Sequence, residues 1–250
     1  MMALCLFLWA YSIPLLLVLV AMGSPFALLF LAMGAGLTKL RDDQPICTSR
    51  LRTWFNNIPW HQWFDEVSTV TIPDDRNYLI ASHPHQLFCL GALVCVHFRP
   101  ESRTLFAVAP LIFHIPFIGW LAAHLGCVSA DKASLQAALK VSSVLLVPGG
   151  VPEVVMFERG EMYTERYGMF RLGAPILPLV TTSQHYYVPK APLYRLRLLI
   201  AKTFRVPIIF PWVFGWYGTW LPKRHALVVK QLEVSENVQR EEYYKKIIST

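Results

Sequence analysis

The sequence predicts an α/β fold in which a mixed sheet carries helices on both faces and follows an N-terminal hydrophobic helical hairpin. Two observations lead to this fold class. From about residue 67, short apolar runs bounded by turn residues alternate with helix-like segments, as in a sheet covered by helices. Before that, residues 3–38 carry no formal charge, and one membrane crossing needs about 20 apolar residues.

The uncharged stretch 3–38 is divided by prolines. Pro14 lies inside its first half, and Ser24 and Pro25 separate the two halves, so we expect a hairpin anchor that enters and leaves on one side. A cleaved signal peptide is the alternative, but a basic segment before the apolar run is missing. Basic residues follow the stretch at once: Lys39, Arg41, Arg50 and Arg52. By the positive-inside rule, the body of the chain is then cytoplasmic.

The segment 39–66 combines basic and aromatic residues. Trp54, Trp60 and Trp63 alternate with polar side chains, which is typical of a helix at a membrane interface. An amphipathic helix that packs on the folded domain fits the same pattern, and both interpretations stay open. We expect the folded domain to occupy residues 67–250.

The domain contains six predicted strands and three predicted helices. The strands are 67–72, 78–82, 104–109, 144–147, 176–180 and 226–234. The helices are 87–97, 117–125 and 132–140, and the last begins after Asp131 or Ser129 as the N-cap. In sheets of this kind, sites form where strands end and loops begin.

Composition narrows the partners. Of the 250 residues, 54% are hydrophobic and 16% are charged. The charged fraction is well below the quarter that is usual in soluble domains, which indicates membrane association. The net charge of +7 suits an anionic membrane surface or a phosphate-bearing substrate, and no nucleic-acid motif is present. The five cysteines form no Cys-x-x-Cys pair, which favours a reducing compartment over a disulfide framework.

Two histidines stand at the end of the predicted strand 78–82. Pro84 separates His83 from His85, removes one backbone donor and pushes His83 towards an extended conformation. Imidazole titrates near neutral pH, so either ring is a candidate general base. Both could equally be surface or hydrogen-bonded core histidines. Cys89 lies nearby, but further ligands are missing at zinc-like spacing.

A second cluster follows the predicted strand 144–147. Gly149 and Gly150 allow unusual backbone angles and close approach of a ligand to backbone N–H groups. Glu153 then places a carboxylate just beyond a buried strand, where the alternative is a solvent-facing loop acid.

A third cluster precedes the predicted strand 176–180. Arg166 and Arg171 flank Gly168, and the planar fork of arginine suits a phosphate or a carboxylate. Taken alone, this cluster is better explained as an ordinary pair of surface arginines.

Five motifs occur in one order along the chain: His83-Pro84-His85-Gln86 behind a Pro-Asp-Asp-Arg-Asn-Tyr lead, residues 113–131, Gly-Gly-Val-Pro-Glu at 149–153, Arg-Tyr-Gly-Met-Phe-Arg at 166–171, and residues 216–224. This order resembles the diacylglycerol acyltransferase type 2 family, which includes monoacylglycerol acyltransferases and wax synthases. The resemblance extends over about residues 63–234 and implies a glycerolipid acyltransferase-like fold.

The resemblance implies a membrane-bound O-acyltransferase that moves a fatty acyl group from acyl-CoA to diacylglycerol and makes triacylglycerol. His85 is then the general base, with His83 as its neighbour or substitute and Glu153 as the group that orients it. Gly149, Gly150 and the glycine at 168 would bind substrate. The arginines at 166 and 171 would meet the CoA phosphates or the carbonyl region.

The resemblance also implies which partners and compartment to expect. Acyl-CoA is a co-substrate, no metal or other cofactor is needed, and the bilayer and a lipid acceptor are the partners. A homo-oligomer is compatible with this reading. We expect the endoplasmic reticulum membrane, with the catalytic part cytoplasmic and lipid droplets as a second location.

Three alternatives stay open, and two departures from the family pattern support the first of them. Gln86 stands where the family has glycine, and residues 181–184 read Thr-Thr-Ser-Gln where it usually has Phe-Gly-Glu. One alternative is a catalytically silent lipid-binding membrane protein. Another is the same chemistry on monoacylglycerol, a long-chain alcohol or a lysophospholipid. A metal-dependent hydrolase that uses His83 and His85 is a third.

Overall fold

A computed structural model of the chain describes residue 32 and residues 53–54, 56–62, 64–68, 70–85, 89–99, 102–115, 118–161, 169–181, 192–204, 208, 228–232 and 240–248. The predicted hairpin 3–38 lies outside these residues except for position 32. Within the described ranges, no helix is both long enough and apolar enough to cross a bilayer.

The structure has six strands and six α-helices in the described ranges. The strands are β1 (Leu79–His83), β2 (Leu105–Val108), β3 (Cys127–Ser129), β4 (Val144–Leu146), β5 (Ile176–Thr181) and β6 (Val229–Gln231). The helices are α1 (Leu90–Ala92), α2 (Ile118–His124), α3 (Lys132–Leu139), α4 (Gly150–Met156), α5 (Tyr194–Phe204) and α6 (Arg240–Ile248). A π-helical turn, Leu93–His97, continues α1, and 3₁₀ turns span Trp60–Gln62, Pro110–His114, Phe157–Arg159 and Met169–Arg171.

The strands form one mixed sheet in the order β3-β2-β4-β1-β5-β6. The first five run parallel, and β6 pairs with β5 in the antiparallel direction. Strand β1 is central, and the register sets its last residue, His83, opposite Val180 of β5. Every residue of β1 is buried, as expected for a parallel strand covered on both faces.

Side chains that alternate along the strands build a separate core on each face of the sheet. On one face, Ile80 and Leu145 pack with Val154 of α4 and with Phe157. On the other face, Leu79 and Ala81 of β1 share a core with side chains of α3 and α6. The predicted mixed sheet with helices on both faces is therefore confirmed.

Two of the differences from the sequence prediction concern strands, and helices α4, α5 and α6 were not predicted either. In its described residues, 67–68 and 70–72, the predicted strand 67–72 has only an isolated bridge, at Val67. The Ser68 Oγ accepts a hydrogen bond from the Val229 N–H at 2.7 Å, so a side chain takes a place that a backbone carbonyl would fill in a ladder. Strand β3 was not predicted, because three residues between turns give too short an apolar run to stand out.

The N-cap of α3 is Asp131, one of the two predicted residues. Its side chain accepts a hydrogen bond from the Ser134 N–H at 2.9 Å, which satisfies one of the free donors at the start of the helix. This bond is the main reason why the pKa of Asp131 falls to about 2.

The described part of the segment 39–66 contacts the folded domain through its second half. Phe64 is buried in the core, and Ile58 and Trp60 pack against that core. Trp54 is 41% exposed. The aromatic residues that the structure describes in this segment therefore divide between the core and the surface.

We predict that Leu145→Ala lowers the free energy of unfolding by about 2–5 kcal/mol, because it removes a fully buried side chain from the middle of the sheet and leaves a cavity. The matched control is Leu121→Ala, the same substitution at a helix position that is 44% exposed. Urea titration of both variants gives the comparison. Equal losses would show that residue 145 does not lie in the core.

Candidate active site

The carboxyl ends of β1 and β4 meet at one edge of the sheet, because these neighbouring strands are parallel. Strand β1 ends at His83, and Pro84 and His85 follow through a cis His83–Pro84 peptide bond. Strand β4 is followed by a short turn into α4, which carries Glu153. Two of the predicted clusters therefore lie side by side.

A hydrogen bond joins these clusters directly. The Glu153 Oε2 accepts from the backbone N–H of His85 at 3.0 Å, across 68 residues of sequence. Glu153 is completely buried and belongs to the first turn of α4, where a negative charge is favourable. The alternative of a solvent-facing loop acid is therefore wrong.

Gly149 makes room for the Glu153 carboxylate. A Cβ atom at position 149 would overlap the Glu153 carboxyl group, so a larger residue would displace it. Gly150 has a φ of 55°, in the left-handed region that favours glycine, and its N–H donates to the Val147 carbonyl at 3.2 Å. The glycine pair shapes the turn that holds Glu153, and the Gly150 N–H is engaged within that turn.

His83 faces the opposite side of the sheet from Glu153. It is 1% exposed, and its Nε2 lies 3.1 Å from the hydroxyl of Tyr243 in α6. The rings of Tyr243 and Tyr244 contact its imidazole edge-on. The Nδ1 atom is also buried and has no hydrogen-bond partner within the described part of the chain. Burial lowers the pKa of His83 to about 3, so the ring is neutral at physiological pH.

His85 is less enclosed than His83. Its side chain is half-buried, and its Nδ1 lies 3.6 Å from the Cys89 Sγ. Burial, and then the charge of Glu153, raise the pKa of Cys89 to about 12. Cys89 therefore stays a neutral thiol beside the imidazole and carries no charge of its own.

The third predicted cluster is only partly described. Arg171 is exposed at the end of the 3₁₀ turn Met169–Arg171, and its neighbour Phe170 contacts the ring of Tyr243. Arg166, Gly168 and Gln86 lie outside the described residues. The arginine cluster and the residue after the second histidine therefore remain predictions from sequence.

A metal site has no support in the described ranges. No group of three His, Cys, Asp or Glu side chains in them lies close enough to hold an ion. The alternative of a hydrolase that binds metal through His83 and His85 finds no further ligands there.

Sequence reasoning missed two residues of the site. Tyr243 contacts His83 from 160 residues away, and its only signal was an apolar stripe of Tyr243, Tyr244 and Ile247 along α6. The second missed residue is Cys89, whose Sγ lies 3.6 Å from Nδ1 of His85. The spacing of four residues from His85 was the signal that could have identified it.

Comparison with known proteins decides the family. A family model described as diacylglycerol acyltransferase matches residues 22–176, more than half of the chain. The chain belongs to the diacylglycerol acyltransferase family. The resemblance inferred from the five motifs is therefore confirmed.

Curated relatives of this family are similar at modest identity. Human 2-acylglycerol O-acyltransferase 3 is 27% identical over 57% of this chain and 49% of its own length. The mouse diacylglycerol O-acyltransferase 2-like protein 6 is 29% identical over 44% and 38%. Diacylglycerol O-acyltransferase 1 of Schizosaccharomyces pombe is 23% identical over 64% and 56%. The chain spans about half the length of the curated relatives it matches.

A solved structure is also similar to this member of the diacylglycerol acyltransferase family. The 1-acyl-sn-glycerophosphate acyltransferase PlsC from Thermotoga maritima superposes with a TM-score of 0.48 at 16% sequence identity. The match covers 80% of this chain and 75% of that one.

We predict that Gly149→Ala speeds alkylation of Cys89. The new methyl group displaces the Glu153 carboxylate, which removes a charge that raises the pKa of the thiol. Alkylation at pH 9 followed by peptide mass spectrometry measures the rate at Cys89, with the buried Cys95 as internal reference. In the control Gly160→Ala nothing lies within 4 Å of the added atom, so only local backbone strain is expected. An unchanged Cys89 rate in Gly149→Ala would contradict this arrangement.

We predict that His83 makes the fold acid-sensitive. Its pKa in the folded state, about 3, lies below the unfolded value of 6.5, so the unfolded chain binds more protons between these values. The stabilisation is complete above pH 6.5 and is lost as pH falls towards 3, by about 1.4 kcal/mol per pH unit.

Urea titrations at pH 7, 6 and 5 test the role of His83. His83→Gln is expected to flatten the pH dependence of the free energy of unfolding. His114→Gln, at an exposed histidine, is expected to keep the parent's dependence. Equal slopes in the parent and His83→Gln would refute the assignment.

Proposed function

We propose that this protein transfers a fatty acyl group from acyl-CoA to the free hydroxyl of diacylglycerol, with His85 as general base, and so makes triacylglycerol. The observation that carries the proposal is the hydrogen bond from the His85 N–H to Glu153, which fixes the second histidine at the carboxyl edge of the sheet. Membership of the diacylglycerol acyltransferase family supports the reaction class.

The reaction needs one proton acceptor and no protein nucleophile. His85 takes the hydroxyl proton while the acceptor oxygen attacks the thioester carbonyl carbon, and a tetrahedral oxyanion forms. Collapse of this intermediate breaks the carbon–sulfur bond and completes the ester. The imidazolium returns its proton to the departing CoA thiolate, so His85 ends the cycle neutral.

Of the two histidines, His85 suits the role of base better. A base must reach the substrate hydroxyl and bind a proton reversibly near neutral pH. His83 is buried, and its pKa of about 3 prevents it from holding a proton at neutral pH. The half-buried His85 side chain lacks that enclosure. We therefore assign His83 to positioning, through its contact with Tyr243.

Glu153 and Cys89 orient His85 in different ways. Glu153 accepts the backbone N–H of His85, so it fixes the position of the backbone from which the imidazole side chain extends. Cys89 lies at Nδ1 of the ring, where its sulfur can accept the Nδ1 proton as a weak acceptor. In that tautomer Nε2 carries the lone pair of the ring, and this is the atom that would take the proton of the substrate hydroxyl.

The anionic parts of acyl-CoA require basic residues near the site. We assign the CoA phosphates to Arg166 and Arg171, because arginine binds phosphate oxygens through two parallel N–H groups. Gly168 would let the backbone between them approach the ligand. The exposed Arg171 is accessible to such a ligand.

The acceptor has a second candidate. The human relative is named a 2-acylglycerol O-acyltransferase, which favours 2-monoacylglycerol as the alternative to diacylglycerol. Equimolar addition of both lipids to the full-length protein with labelled acyl-CoA separates them by product. We expect labelled triacylglycerol in excess. Labelled diacylglycerol in excess would assign the monoacylglycerol reaction.

The location follows from where the lipid acceptor resides. We propose that residues 3–38 anchor the protein in the endoplasmic reticulum membrane with the catalytic part in the cytoplasm, and that it also reaches lipid droplets. The uncharged sequence of that stretch and the basic residues after it support this orientation. A homo-oligomer is compatible with this arrangement.

We predict that His85→Ala lowers acyl transfer by about a hundredfold to ten-thousandfold, which is the usual contribution of a general base. Cells that lack storage-lipid synthesis, supplied with labelled fatty acid, provide the assay. The matched control His114→Ala removes an exposed histidine from a 3₁₀ turn and is expected to retain the parent's activity. Equal triacylglycerol from His85→Ala and the parent would contradict the base assignment. No neutral lipid from the parent would favour the catalytically silent lipid-binding protein.

A further inference from the structure

Helix α5 has an inverted distribution of polar and apolar residues. Arg197 is only 2% exposed and Ala201 is fully buried, whereas Leu196 is 49% and Leu199 is 61% exposed. A surface helix normally buries its leucines and leaves its arginines in water. A buried arginine requires a partner that compensates for the loss of water. Exposed leucines indicate a surface that binds another molecule.

The cause on the buried side is an ion pair. Arg197 donates from both terminal nitrogens to the two carboxylate oxygens of Glu158, at 2.6 and 2.7 Å, and both side chains are nearly inaccessible. Its Nε also donates to the Pro192 carbonyl at 2.8 Å. Bidentate pairing of this kind has a fixed geometry, so it determines how α5 is rotated about its axis.

The exposed apolar surface extends beyond the helix itself. Leu193 and Phe204, at the two ends of α5, are each 69% exposed, and Ile208 is 40% exposed. We call these three residues, together with Leu196 and Leu199, the α5 face; each of the five is at least 40% exposed. Contiguous exposed apolar residues on a soluble surface are costly, and they mark sites of interaction.

The charges beside the α5 face point to one kind of partner. Arg195 and Lys202 are exposed, and their spacing of seven residues places them on one line along the helix, next to Leu199. The helix contains no acidic residue. Basic side chains that border an apolar helical surface are typical of helices that lie in the interface of a bilayer with anionic lipids.

We propose that the α5 face docks on the surface of a lipid bilayer that contains anionic phospholipids. Leu196, Leu199 and Phe204 would enter the acyl-chain boundary, while Arg195 and Lys202 would meet the headgroup phosphates. The inference rests on the proposed function, because a lipid acceptor must be reached from the bilayer.

The ion pair connects this surface to the candidate active site. Glu158 lies in the 3₁₀ turn Phe157–Arg159, which comes directly after α4, the helix that carries Glu153. A second contact supports the same connection, since the Arg159 guanidinium lies 3.7 Å from the ring centre of Tyr194 at the start of α5. Docking through α5 would therefore hold α4, and with it His85, at a fixed position relative to the bilayer.

Fluorescence quenching tests the docking in the full-length protein. A genetically encoded fluorescent amino acid replaces Leu199, and in a matched variant it replaces Gln136, an exposed residue of α3. Each protein is reconstituted into vesicles of phosphatidylcholine and phosphatidylglycerol whose acyl chains are brominated. We expect quenching at position 199 to exceed that at position 136 by severalfold. Equal quenching at the two positions would overturn the proposal.

Two further measurements test the role of the basic residues and separate the docking from the proposed reaction. In vesicles without phosphatidylglycerol, quenching at position 199 is expected to fall, and an unchanged value would contradict the role of Arg195 and Lys202. Acyl transfer is measured in parallel on substrate dispersed in detergent. An active protein without quenching at 199 would refute the docking alone, whereas quenching in an inactive protein would support the docking and refute the proposed reaction.

Discussion

The carboxylate of Glu153 lies fully buried at the start of α4 and accepts the backbone N–H of His85. A buried charge is costly unless hydrogen bonds compensate for the loss of water, so this contact restrains both partners. It also explains why Gly149 is glycine, since a side chain there would occupy the space of the carboxylate. The loop after the central strand and the helix after its neighbour are thereby held as one unit.

The two histidines of the motif have different environments because a single proline turns the chain between them. His83, the last residue of β1, faces the core formed with α6 and is deprived of water. His85 has left the strand and lies beside Cys89 at the edge of the sheet. His83 is therefore a buried, neutral ring at the strand end, whereas the side chain of His85 is only half-buried.

Much of the sheet could be predicted from the sequence, because parallel strands that are buried on both faces read as short apolar runs. The observed β1 is shifted by one residue from the prediction, and β4 begins at the expected residue. Helix α4 was missed because glycine and proline indicate a turn, although proline is tolerated in the first turn of a helix. His83, His85 and Glu153 could be found as candidates. The contacts of His83 with Tyr243 and of His85 with Cys89 could not be predicted, because they depend on how the folded chain packs and not on local sequence patterns.

The central claim is that a carboxylate of α4 holds the backbone of His85, and the amide resonance of that residue tests it most directly. The protein has eight histidines, so selective ¹⁵N labelling gives a small set of amide signals, and the signal absent in His85→Ala identifies position 85. A hydrogen bond to a charged acceptor moves an amide proton downfield. We predict that the His85 signal lies downfield in the parent and moves upfield in Glu153→Gln, while the His114 signal stays in place. A His85 signal that is unmoved by Glu153→Gln would contradict the account.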